Sequence, residues 1–249
     1  MAGFGLSPVM AAVMFNFGFS IADAIFVTTA LCIVSAVIFF ILVIPVRTHA
    51  LIKGIEQKSG LTITSVKKIF TSRAAVPVIM VCFGASVFAG MNNFQTVFAE
   101  DRGLDYSTYF LIYTITVVVF RIILARFTGG PSPYRTIALL QYAMAGSVIL
   151  FMFSGFSQGL YIMVALLFAL GYGASYPILV AMAANDADED IVPQTLQLFA
   201  LTYFIGLFGF PLIAGWLIVE VGTTPLLALV ATLAALEATM AAKRAMQNN

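Results

Sequence analysis

Eight stretches of roughly 20 mainly apolar residues, at about 2–19, 22–46, 74–98, 106–127, 136–154, 159–184, 195–219 and 224–242, occupy most of this 249-residue chain. A helix needs about 20 such residues to cross the hydrocarbon core of a bilayer, so eight of them leave no room for a soluble catalytic domain. The runs are continuous and rich in Leu, Ala, Val, Ile and Phe, whereas the strands of a membrane barrel alternate. The expectation is an all-α polytopic helical membrane protein with about eight transmembrane helices. Composition agrees: 61% of residues are apolar and 9% charged, against about 45–50% and about 25% in a soluble domain. The first run lacks a basic n-region, carries Pro8 and Asn16 and runs straight into another apolar stretch. It therefore reads as an ordinary span and not a secretory signal.

Charge and chemistry-bearing residues exclude several classes. Twelve Lys and Arg against eleven Asp and Glu leave a net +1, no footprint for nucleic acid. Cys32 and Cys82 sit inside apolar runs and His49 is the single histidine, so neither a disulfide framework nor a metal or haem centre is expected, and no cofactor. The loop acids Asp186, Asp188, Glu189 and Asp190 lack the spacing and glycine of an EF-hand and read as a solvated loop. No G-K-S/T, H-E-x-x-H or G-x-S-x-G occurs, and the paired glycines neither follow a strand nor continue as G-x-G-x-x-G. An enzyme is not expected.

Orientation follows from lysine and arginine. With the even-numbered loops on the cytoplasmic side, that side holds Arg47, Lys53, Lys58, Lys67, Lys68, Arg73, Arg126, Arg135, Lys243 and Arg244. The opposite side holds Arg102, and Arg121 falls within a span. This bias places both termini in the cytoplasm. The basic loop 47–73 reads as a linker. Within it, Ser65 to Phe70 has the pattern of a short amphipathic helix that would dip Val66, Ile69 and Phe70 into the membrane surface, although a solvated linker is the simpler reading.

The first and seventh spans carry related stretches, G-L-S-P-V-M-A-A-V-M from Gly5 and G-F-P-L-I-A-G-W-L from Gly209. Aligning Pro8 with Pro211 pairs Val9 with Leu212, Met10 with Ile213, Ala11 with Ala214 and Ala12 with Gly215. In both, proline opens a run of small residues that lets helices bend and pack closely. Matching spans six apart imply a six-span repeat, and hence twelve spans, with the partners of spans three to six lying before residue 1. The expected organisation is 1–46 as two helices of an incomplete N-terminal bundle, 47–73 as the linker and 74–249 as a C-terminal six-helix bundle.

Here the chain resembles the major facilitator superfamily, from the fifth to the twelfth of its usual twelve helices. Four stretches carry the resemblance. The proline-and-small-residue pair is similar to the family's fifth- and eleventh-helix motifs. A-G-M-N-N-F-Q-T-V-F-A-E-D-R-G-L resembles the seventh helix of bacterial sugar- and drug-efflux permeases. Y-F-L-I-Y-T-I-T-V-V-V-F-R is similar to their eighth helix, and G-Y-G-A-S-Y-P-I-L-V-A-M-A-A-N-D to their tenth. The segment A-R-F-T-G-G-P-S-P-Y-R departs by lacking the acidic residue of the family's loop after helix eight. N-D-A-D-E-D-I-V-P-Q-T likewise lacks the Arg-Gly pair after helix ten. The resemblance implies secondary transport of a small solute by alternating access, in a bacterial inner membrane. The alternative is a transport-inactive structural or assembly subunit of a larger membrane complex. In either case another membrane chain is expected to cover the incomplete bundle.

Polar groups inside the spans are the candidate site. Arg121 lies seven residues after Thr114, within about 20° of the same helix face, with Tyr113 beside that face and Tyr109 a turn away. Such a group suits an anionic or hydroxylated solute, unless Arg121 snorkels to the interface. Asn92, Asn93 and Gln95 form a polar cluster in the third span. By resemblance it lines the central cavity, while interhelical hydrogen bonding alone would also account for it. The resemblance likewise favours Tyr172, Tyr176 and Tyr203 as cavity-facing over Gln141, Tyr142 and Gln197. Glu237 could carry a coupling proton. However, the last helix is peripheral in the family, so ion pairing with Lys243 or Arg244, or exposure at the interface, is expected instead.

Overall fold

The computed structural model describes residues 10, 11, 13–52, 60–123, 129–153, 155 and 157–247. Half of the expected first span lies outside them, as do the Gly5–Pro8 portion of the repeat and Lys53, Lys58 and Arg126. The described chain is helical, without a strand among the described residues. Seven of its stretches are long and apolar enough to cross a membrane, so the all-α polytopic membrane architecture holds.

Helix α1 (Ile21–Ile52) opens on a reciprocal cap: the Ser20 amide donates to Asp23 Oδ2 at 2.8 Å, and the Asp23 amide returns a bond to Ser20 Oγ at 3.2 Å. Its residues 21–46 are apolar on every face, and all of those side chains except Ala24 are exposed. A helix that is hydrophobic all round belongs in lipid or against other helices. Helix α2 (Ile63–Thr71) begins with a capping box between Thr62 and Ser65. The expectation that Ile69 dips into the membrane is corrected: Ile69 is fully buried against protein.

The remaining helices pack together. They are α3 (Ala75–Asn93), α4 (Gln95–Glu100), α5 (Tyr106–Ile123), α6 (Pro133–Phe153), α7 (Gln158–Asn185), α8 (Val192–Phe204), α9 (Phe210–Glu220) and α10 (Thr223–Gln247). Helix α6 runs along α7 and α10, α5 lies on α7, and the deeply buried α3 contacts α7, α8, α9 and α10. Close approach at these crossings depends on glycine. A Cβ at Gly171 would stand 2.6 Å from the Leu140 carbonyl oxygen, and one at Gly173 would stand 2.9 Å from Val117.

Between α8 and α9 the chain widens into a π-helical turn, Ile205–Gly209. Pro211 has no N–H to give the Leu207 carbonyl, and a widened turn is one way a helix accommodates that loss. The turn presses Gly206 onto α3, where a Cβ would fall on the Cys82 carbonyl oxygen. Apolar side chains form two cores. One, around Phe98, Tyr109, Phe151 and Phe168, fills the end near α4. The other, around Ile69, Ile178, Ile191 and Phe199, fills the end where α2 docks, termed the linker end here.

Helix α5 is capped by Asp105, whose Oδ1 accepts from the Ser107 amide at 2.9 Å while Oδ2 accepts from the Ser107 hydroxyl at 2.6 Å. The hydroxyl first, then the amide, hold this carboxyl below the ordinary aspartate range. The cap therefore contributes stability above that range and loses it as pH falls through the lowered value. Asp105→Ala is expected to cost about 1 kcal/mol, read as a lower melting temperature whose deficit vanishes in acid.

Candidate functional site

An ionisable side chain lies buried at the junction of α3, α6, α7 and α10. Glu237 is 1% exposed. Its Oε1 accepts from Gln141 Nε2 at 2.9 Å, and the same amide donates to Ser175 Oγ at 3.0 Å. Glu237 Oε2 and Gln141 Oε1 have no hydrogen-bond partner. Both residues line a cavity of about 10 Å³, together with Ser175, Tyr172 and Tyr176, which is room for about one water. Gly84 makes space for the carboxylate, since a Cβ there would stand 2.9 Å from Glu237 Oε1.

The expectation that Glu237 pairs with Lys243 or Arg244, or reaches water, is therefore overturned. On α10, Val230, Ala234, Glu237, Ala238 and Ala241 share the buried face, and the helix is held inward by α6 and α3. That spacing was a signal available in the sequence. Gln141, ranked below the tyrosines by the resemblance, is the partner of Glu237, and Ser175 is an addition of the structure; nothing local marks Gln141 as the partner of a residue 96 positions away.

Five of the expected residues are brought together as an aromatic column. Ring centroids step from Tyr161 to Tyr109 at 5.8 Å and from Tyr109 to Tyr113 at 6.2 Å. Phe168 follows at 6.1 Å and Tyr172 at 6.3 Å. Tyr176 comes next at 6.3 Å and Tyr203 at 5.5 Å. Tyr172 also stacks on Phe88 at 4.6 Å. The hydroxyls of Tyr109 and Tyr113 are buried without a hydrogen-bond partner. Arg121 is half-buried with its Nε unpartnered.

The other expected residues divide. Gln95 closes the α4 end of the column by donating to the Tyr161 hydroxyl at 2.7 Å. Asn92 is buried and bonds its own helix at Phe88 O, leaving Oδ1 unpartnered. Asn93 is exposed, so it stands apart from the cluster expected of it. Thr114 spends its hydroxyl on the Phe110 carbonyl at 2.7 Å. Tyr142 and Gln197 are exposed.

Asp188, Glu189 and Asp190 of the acidic loop are exposed, as a solvated loop requires, whereas the Asp186 side chain is largely buried. Asp186 accepts from the Tyr134 hydroxyl at 2.6 Å and from Arg244 at 3.3 Å, joining α6, α7 and α10. Lys68 of α2 donates to both oxygens of Asp190, at 2.9 and 2.8 Å, and lies 3.3 Å from Asp188. The bond to Asp190 raises the Lys68 ammonium above its ordinary range.

Chemically, the arrangement offers one buried proton-accepting group, a water-sized space beside it and a row of phenols that shares Tyr172 and Tyr176 with that space. A family model described as Major Facilitator Superfamily matches residues 1–211. No curated protein matches the chain.

Proposed function

Because the chain belongs to the major facilitator superfamily, we propose that it moves a small solute across the bilayer by alternating access, with Glu237 as the coupling group. Members of this family are transporters, and the seven membrane-length helices fit a transporter-type, non-enzymatic role in an integral membrane protein. The solute is read by Tyr172, Tyr176, Tyr203 and Arg121, with Asn92, Gln95, Tyr109 and Tyr113 extending the same polar-aromatic lining. The observation that carries the reading is the buried Glu237 carboxylate beside a water-sized cavity that also touches Tyr172 and Tyr176. A lone ionisable group at membrane depth is costly and marks ion or proton handling.

The organisation follows the same reading: 1–46 belongs to a first bundle, 47–73 links it and 74–249 forms the second. The excess of Lys and Arg on one side supports cytoplasmic termini in a bacterial inner membrane. Reconstituted protein, screened with sugars and amphipathic drugs under an imposed pH gradient, tests the coupling. Glu237→Gln is expected to lower gradient-driven accumulation at least tenfold while leaving downhill exchange in place. Accumulation unchanged in Glu237→Gln would end the coupling role.

A second reading, a structural subunit, is favoured by the exposure of α1 along its length, a surface that another membrane chain would cover. Native mass spectrometry after mild extraction separates the two. A stoichiometric multi-subunit assembly supports the structural role, and a chain without such partners removes it.

A further inference from the structure

We propose that the cavity beside Glu237 is a binding site for one sodium ion, held by Glu237 Oε2 and Gln141 Oε1. The hydrogen bonds around the cavity leave only acceptors for an occupant. Gln141 spends both N–H groups of its amide, one on Ser175 Oγ at 3.0 Å and one on Glu237 Oε1 at 2.9 Å. Ser175 in turn donates its hydroxyl to the Tyr172 carbonyl at 3.3 Å, which leaves its oxygen a lone pair to spare. Gln141 Oε1 and Glu237 Oε2 remain as oxygens without a partner, on residues 2% and 1% exposed. In its ionised form the carboxylate has no counter-charge at the cavity. No lysine, arginine or histidine is among the described residues that line it, and its other titratable groups are the phenols of Tyr172 and Tyr176. Arg244, two turns along α10, is committed to Asp186. A buried charge is paired or coordinates a metal, and here the second course is open. Size and charge choose the ion. A space of about 10 Å³ takes about one water-sized particle, and a single carboxylate balances a single positive charge. A divalent ion would bring surplus charge into the membrane interior. Three oxygens around so small a space suit sodium better than potassium, whose oxygen shell is wider. Gly84 belongs to the fit, since a Cβ there would stand 2.9 and 3.0 Å from the two carboxylate oxygens. Tyr176, in the lining and only partly buried, marks the ion's way in.

As the identity of the coupling ion this rests on the transport reading, with proton and sodium as alternative occupants of one carboxylate. As a binding site it does not, so binding is what is measured. The full chain in nanodiscs, at one mildly alkaline pH and one ionic strength, is unfolded thermally in sodium, lithium, potassium or choline chloride. Sodium is expected to raise the melting temperature saturably, by about 5 °C over choline. Lithium is expected to replace it and potassium is not. Glu237→Gln is expected to abolish the sodium-specific rise. Gln141→Leu keeps the carboxylate, removes one coordinating oxygen and is expected to weaken the apparent sodium affinity about tenfold. A second measurement needs no variant: in the unmodified chain, sodium is expected to slow amide exchange, relative to choline, in peptides covering residues 141, 175 and 237 while leaving 61–72 unchanged. No rise in sodium, a rise as large in potassium, a rise that survives Glu237→Gln, or slowing located elsewhere overturns the site. None of these results bears on accumulation driven by a pH gradient, which would then couple through Glu237 by the proton alone.

Discussion

Gly206→Ala is expected to be among the most damaging small substitutions in this bundle, costing about 3 kcal/mol, the upper part of the usual range for overpacking. The added methyl would fall on the Cys82 carbonyl oxygen, with Ala85 Cβ at 3.0 Å and the Ser86 amide nitrogen at 3.2 Å. Two of these neighbours are backbone atoms, which cannot swing aside as the tip of a lysine would. Relief requires the π turn and α3 to separate, and α3 is the most deeply buried of the membrane-length helices. Gly209→Ala, three residues along the same turn, adds its methyl to open space and is expected to be neutral. Thermal unfolding of the two variants in one detergent gives the comparison. Equal melting temperatures would mean that the close approach at Gly206 does not hold α3 to the turn.

Asp186→Ala is expected to have an effect of similar size for an electrostatic reason. The aspartate and Arg244 side chains are 13% and 11% exposed, and the Tyr134 hydroxyl shares the same carboxylate. Removing one partner of a buried pair costs about 3–5 kcal/mol because the other charge stays behind unpaired. The residual exposure argues for the lower end, about 3 kcal/mol. Tyr134→Phe removes one hydrogen bond to a charged acceptor and is expected to cost about 1.5 kcal/mol. The combination Asp186→Leu with Arg244→Met removes both charges and is expected to be milder than Asp186→Ala alone. A double variant as unstable as the single one would show that the stranded arginine is not what makes the loss large.

Much of the architecture was legible because a bilayer imposes one rule on every span. The run read at about 159–184 is α7, Gln158–Asn185, and the run at 136–154 is α6, Pro133–Phe153. The last helix overran its expected end, because apolar length locates the crossing and not the further turn that carries Arg244 to Asp186. The run at 74–98 concealed a break at Phe94, where α3 stops and α4 restarts. The polar residues Asn92, Asn93 and Gln95 flank that break, and as amides inside an apolar run they read as a site cluster and not as a helix boundary. The candidate site was legible in part. Tyrosines spaced four apart, Tyr109 with Tyr113 and Tyr172 with Tyr176, predict shared faces, and the structure assembles them into the column. The partners of Glu237, Asp186 and Lys68 lie 96, 58 and 122 positions away. Such pairings are decided by helix packing, which a single sequence does not display.

Helix α1 carries a consequence of its own. Its apolar stretch Ile21–Val46 is 26 residues long, about 39 Å at a 1.5 Å rise per residue, against a hydrocarbon core of about 30 Å. Standing upright, it would push apolar side chains into the headgroups, so it must lean or draw a thicker bilayer around itself. This span, with none of its apolar stretch buried against protein, is thus also longer than an average membrane requires. Its tilt answers to the lipid chain length around it, while the helices of the bundle answer chiefly to one another.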